Sequence, residues 1–169
     1  MTSNSNMGNW RIMISLVLAV SIANILHYSC VDAHSEPEDY VLMHSCIRKA
    51  FGLEPLCWDR KLAEVAQNWA DQRKDCNLIH NNSPYGENMG MGPDLNALWA
   101  TQMWIDEKRD YDYDSNTCKE GKMCGHYTQV VWANSKRIGC GRTKCDNGWA
   151  YVVVCNYDPP GNYAGEKPY

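Results

Sequence analysis

Four side chains in this sequence could move protons or hold a divalent cation: His80, Glu87, Glu107 and His126. Each borders a turn or the end of a predicted element. Pro84 and Gly86 lie between His80 and Glu87, so the chain can fold back and bring carboxylate to imidazole. Two imidazoles and two carboxylates suit acid–base work or a divalent ion. A lone histidine beside apolar residues is more often a hydrogen-bonded core residue. A site therefore requires the four to converge, which spacing along the chain does not decide.

The elements around them must supply that convergence. His126 sits in Gly125-His126-Tyr127-Thr128-Gln129-Val130-Val131-Trp132-Ala133-Asn134-Ser135, whose Val130–Trp132 block is apolar and which Cys124 and Cys140 bracket. Upstream, Ser35-Glu36-Pro37-Glu38 reads as a capping box opening a helix through Tyr40, Val41, His44 and Ile47 to Ala50, closed by Gly52. Asp59 caps a second helix with Leu62, Val65, Ala66 and Trp69 on one face. Residues 77–80 read as a short strand and Tyr85–Asn88 as a turn or brief helix. A further helix is predicted from Asp94 to about Lys108, ahead of the tyrosine-rich loop 110–114, which Cys118 and Cys124 pin. Asp146-Asn147-Gly148 carries the signal of a type I′ hairpin. With Asn147 and Gly148 as loop residues, Cys140 stands opposite Cys155, and Cys145 faces the other way. Cys46 and Cys57 flank the turn between the first two helices and are candidates for a bridge.

The bulk numbers bound the rest. A chain of 169 residues suits one domain plus a leader. Arg11, the apolar run 12–23 and the small residues of Val31-Asp32-Ala33 predict a secretory signal over residues 1–33, leaving 34–169 as the mature domain. Cys30 departs with it, so the nine cysteines become an even set with no Cys-x-x-Cys, the pattern of disulfides formed in an oxidising compartment. Arg11 and Asp32 leave together, so the net charge stays at −4. A mildly acidic surface with no basic cluster argues against nucleic acid and against electrostatic docking on anionic membranes.

Three blocks carry a resemblance: His80-Asn81-Asn82-Ser83-Pro84-Tyr85-Gly86-Glu87-Asn88, the Gly125–Trp132 segment, and Val154-Cys155-Asn156-Tyr157-Asp158-Pro159-Pro160-Gly161-Asn162-Tyr163. They resemble signature blocks of the CAP superfamily (cysteine-rich secretory proteins, antigen 5 and pathogenesis-related protein 1), and the closing Gly-Asn-Tyr-x-Gly-x-x-Pro-Tyr is similar to its plant branch. The resemblance implies an α+β fold, a disulfide-stabilised three-layer α-β-α sandwich with a small antiparallel sheet. It implies a cavity lined by His80, Glu87, Glu107 and His126, and bridges Cys76–Cys145, Cys118–Cys124 and Cys140–Cys155. Cys46–Cys57 would be a fourth bridge outside the plant pattern.

The function implied is a secreted, monomeric, non-enzymatic plant defence protein of the apoplast, acting against fungi and oomycetes by binding a sterol or other lipid of microbial membranes. Trp104, Tyr111 and Tyr113 are the candidate lipid contacts. No cofactor is required, although His80 and His126 could hold Zn²⁺. The alternative is a Zn²⁺-dependent hydrolase in which Glu87 or Glu107 activates water. Two histidines fall one ligand short of a usual catalytic zinc site, and no positioned nucleophile supports catalysis. The resemblance also marks Pro159–Tyr169 as a C-terminal signalling peptide that proteolysis could release.

Overall fold

The computed structural model describes residues 37–169, so the predicted leader over residues 1–33 lies outside them. Helix α1 (Pro37–Ala50) leads to the two-residue strand β1 (Cys57–Trp58) and helix α2 (Arg60–Asp71). Strand β2 (Gly86–Pro93), helix α3 (Ala97–Asp106) and a 3₁₀ turn (Glu107–Asp110) follow. A small ribbon of β3 (Tyr111–Asp112) and β4 (Thr117–Cys118) precedes helix α4 (Gly125–Val130) and the hairpin β5 (Arg137–Lys144) and β6 (Ala150–Asp158).

The main sheet has the order β1-β5-β6-β2. β1 runs parallel to β5, and the remaining pairs are antiparallel. Cys140 stands opposite Cys155 and Lys144 opposite Tyr151, the register expected from the sequence. The tip differs. The N–H of Cys145 donates to the Ala150 carbonyl at 2.9 Å, so four residues, not two, turn the chain. Asn147 explains this: its Oδ1 accepts from the N–H groups of Trp149 and Ala150, an Asx-type turn that widens the loop.

Helices cover both faces of the sheet, giving the α-β-α sandwich. Ile138, Cys140, Val153, Cys155 and Tyr157 point to one side, where Tyr40 and Val41 of α1, Ala100 and Trp104 of α3 and Val130 of α4 pack. Met89, Val152 and Val154 point to the other, against Ala66 and Ala70 of α2. α2 approaches very closely. A Cβ on Gly139 would lie 2.1 Å from the Ala63 nitrogen, and one on Gly141 would lie 2.4 Å from the Gln67 Cα. Asp59 caps this helix as expected, its Oδ1 accepting from the N–H groups of Lys61 and Leu62.

Several expectations are corrected. Residues 77–80 form a loop without strand partners, and Leu78 and Ile79 are exposed. Tyr85–Asn88 is no helix: Gly86 opens β2, which pairs with β6 along its whole length. The predicted 94–108 helix starts at Ala97 because Asn96 is its cap and Asp94 sits at positive φ. It tightens into the 3₁₀ turn at Glu107. The Cys46–Cys57 bridge does not form, and Cys46 is a free, exposed thiol. Cys46 lies two residues from both His44 and Arg48, which α1 buries, and so about 200° around the helix from each.

Candidate functional site: two glutamate–histidine pairs and a groove

Glu107 opens the 3₁₀ turn after α3 and meets the start of α4. Its Oε2 accepts the backbone N–H of His126 at 3.0 Å and of Tyr127 at 3.2 Å, while Oε1 accepts from His126 Nδ1 at 2.6 Å. One carboxylate thus takes up orphan donors of the helix start and fixes the imidazole. Trp104 stacks on that ring, with centroids 6.2 Å apart, and donates its indole N–H to the Met89 carbonyl.

The second pair is built on the edge strand. Glu87 Oε1 accepts from His80 Nδ1 at 2.7 Å and from the Asn81 N–H at 3.1 Å. The Glu87 side chain is 5% exposed and that of His80 61%. Burial pushes the Glu87 carboxyl above its ordinary pKa, against the opposing pull of His80, the Asn81 N–H and the neighbouring Asn156 side chain. Its second oxygen, Oε2, is buried without a hydrogen-bond partner, as is Oδ1 of Asn156, the residue paired with Glu87 across the sheet.

The four residues are therefore brought together as two pairs. Glu87 and Asn88 are successive strand residues and point to opposite faces of β2. Glu87 reaches His80, whereas Asn88 donates to the His126 carbonyl at 3.0 Å. Among the described residues, no group of three or more His, Cys, Asp or Glu is arranged to hold a metal ion. Each Nδ1 is spent on its own glutamate, so neither pair offers an ion the three protein ligands of a catalytic zinc site.

The candidate lipid contacts separate. Trp104 is buried in the core. Tyr113 stacks on Tyr169, at 4.8 Å between centroids, and its hydroxyl bonds the Tyr169 carbonyl. Tyr111 alone borders open space, a surface groove of about 290 Å³. The β3–β4 ribbon, α4 and the tail after β6 enclose this groove, with Trp132 and Tyr163 among its walls. The tail is fastened along its length. Pro159 accepts from Ser135, Gly161 donates to Gln129, Asn162 bonds Gly125 and Thr128, and Pro168 accepts from Ala133. The bridges Cys76–Cys145, Cys118–Cys124 and Cys140–Cys155 are present. Cys118–Cys124 joins the ribbon to the start of α4, so it holds Glu107, His126 and the groove in one neighbourhood.

Sequence reasoning missed two residues that set α4 in place. His44 Nδ1 bonds the Tyr40 carbonyl, and Nε2 accepts from the Tyr157 hydroxyl, which also meets Asn88. Arg48 is fully buried, and its guanidinium donates to the carbonyls of Glu54, Val130, Trp132 and Ser135. The signal was present: both lie on the face of α1 that Tyr40 and Val41 mark as buried.

Comparison with known proteins finds a family and a shared fold. Residues 41–157 match the Cysteine-rich secretory protein family, CAP. Pathogenesis-related protein 1A of Nicotiana tabacum is 52% identical over 157 residues, covering 91% of this chain and 92% of the tobacco protein. Pathogenesis-related leaf protein 4 of Solanum lycopersicum is 49% identical over 158 residues, covering 92% and 97%. Among solved structures, venom allergen-like protein 4 of Schistosoma mansoni superposes with a TM-score of 0.68 at 26% identity, covering 81% of this chain and 95% of that one.

Proposed function

The chain belongs to the Cysteine-rich secretory protein (CAP) family, and from that premise we propose that it is a secreted plant defence protein of the pathogenesis-related 1 type, acting by binding a lipid and not by catalysis. Secretion is supported by the leader pattern over residues 1–33 and by the three disulfides that join described residues, since disulfides persist in oxidising compartments. A binding role is supported by the engagement of both imidazoles with glutamates, and among the described residues no three ligands gather for one metal.

The observation that carries the lipid reading is the outer face of α3. Leu98, Trp99 and Met103 are 40%, 65% and 47% exposed on one side of this helix. Large apolar side chains clustered at the surface mark contact sites, and tryptophan suits a membrane–water interface. A sterol-bearing microbial membrane is the expected target, with α3 in place of Trp104 and Tyr113 as the contact. Flotation with ergosterol-containing phosphatidylcholine vesicles tests this. Binding should fall on Trp99→Ala, and equal recovery of both proteins overturns the reading.

Release of Pro159–Tyr169 as a peptide is a second reading, supported by the continuous exposure of residues 162–167. Mass spectrometry of fluid from wounded tissue should find the fragment, and only intact C-termini would count against it.

A further inference from the structure

The groove beside α4 has walls unlike those of a lipid site. Tyr111 and Tyr163 supply aromatic surface, whereas Asn116, Thr128, Asn162 and Glu166 supply hydrogen-bonding groups. At about 290 Å³ it lies near the lower end of small-molecule sites.

Its polar side chains are held in place before any ligand arrives. Asn116 Oδ1 accepts from the Tyr111 hydroxyl at 2.6 Å, and its Nδ2 donates to the Glu166 carbonyl at 3.0 Å. Asn162 Oδ1 accepts from Thr128 at 2.7 Å, and its Nδ2 donates to the Gly125 carbonyl at 2.8 Å. A side-chain amide has two N–H donors, so each asparagine keeps one to offer. The Glu166 carboxylate adds acceptor oxygens. Beneath them Trp132 packs against Tyr163, with ring centroids 6.1 Å apart, while half of Tyr163 remains exposed to meet a ligand.

Fixed amide donors, a carboxylate acceptor and an exposed aromatic face match one ligand chemistry well. A sugar ring presents hydroxyls at its rim, which donate and accept, and polarised C–H groups on its faces, which lie against the negative face of an aromatic ring. A sterol or acyl chain would leave the amides and carboxylate without partners on burial. An anion would meet the Glu166 carboxylate and no lysine or arginine among the groove's walls.

We infer that the groove between the β3–β4 ribbon, α4 and the C-terminal tail is a binding site for a short neutral oligosaccharide. Tyr163 is its stacking platform, and Asn116, Asn162 and Glu166 are its hydrogen-bonding set. This site is separate from the lipid face of α3.

The test titrates the disulfide-intact secreted protein with laminaritriose, cellotriose and chitotriose, read by calorimetry and saturation-transfer NMR. At least one trisaccharide should bind saturably. Tyr163→Ala should weaken it about tenfold, the scale of a lost aromatic contact. Glu166→Gln should weaken it less. Both side chains lie on the exposed tail, and unchanged near-ultraviolet circular dichroism verifies that the variants fold. Trp99→Ala should leave sugar binding intact, which keeps this result independent of the vesicle experiment. Absence of saturable binding by all three sugars, or binding untouched by both groove variants, overturns the inference.

Discussion

The ring of His44 and the hydroxyl of Tyr157 meet at 2.9 Å in the interior, joining α1 to β6 across 113 residues of sequence. Desolvation lowers the His44 pKa from 6.5 to about 4; the nearby Arg48 charge adds to this, and the Tyr40 carbonyl opposes it. The unfolded chain takes up this proton as pH falls through 6.5, whereas the folded chain resists until about 4. The His44 contribution is thus complete above pH 6.5 and is lost as pH falls from 6.5 to 4. Its size is on the order of 3 kcal/mol. Urea unfolding across this range should show the loss, and His44→Leu should flatten it while lowering stability at neutral pH by orphaning the Tyr157 hydroxyl.

Arg48 holds a buried charge that its guanidinium disperses over four backbone carbonyls. Burial accordingly lowers its pKa to about 10. Arg48→Met strips donors from those carbonyls and should cost at least about 3 kcal/mol in chemical denaturation. Arg48→Lys should rescue little, because a single ammonium cannot span a planar fork of acceptors.

Glu87 and Asn156 place two buried, unpaired oxygens on adjacent strands. Glu87→Gln keeps one oxygen for His80 and Asn81 and puts an N–H₂ where Oε2 was, able to donate to Asn156. It also removes the desolvated charge responsible for the raised carboxyl pKa. The variant should be more stable at pH 7 by about 1 kcal/mol, measured by thermal unfolding. A loss of stability would show that the carboxylate is better served than this geometry indicates.

Gly139 and Gly141 form the seam under α2. Alanine at either position drives a methyl into helix backbone that no rotamer change can move. Each substitution should cost about 3 kcal/mol or prevent folding, judged by urea midpoint or recovered yield. Gly121→Ala is the contrasting case, with open space around its Cβ position. Its cost should be confined to the strain of a positive φ.

Much of this organisation was legible in the sequence where the signal is local. Asp59 announced its helix by capping chemistry, and Asn147-Gly148 fixed the hairpin register, although the Asx turn at its tip did not show. Strand β2 was hidden because glycines carry no alternating pattern. Gly86 is there to admit the Gln129 side chain, a partner more than a dozen residues away. The same limit applied at the candidate site. The His80–Glu87 pairing follows from a turn, but the Glu107–His126 pairing joins the end of α3 to the start of α4, which no local signal reveals. The groove is further from local reading, since its walls come from three segments that only tertiary packing brings side by side.

Cys46 stands in water on the outer side of α1, while the other described cysteines are bonded. The native protein therefore carries its own attachment point for a maleimide dye or a spin label. A chromophore can be placed there without engineering a thiol and without opening a bridge, so vesicle and sugar titrations can be followed on one labelled preparation.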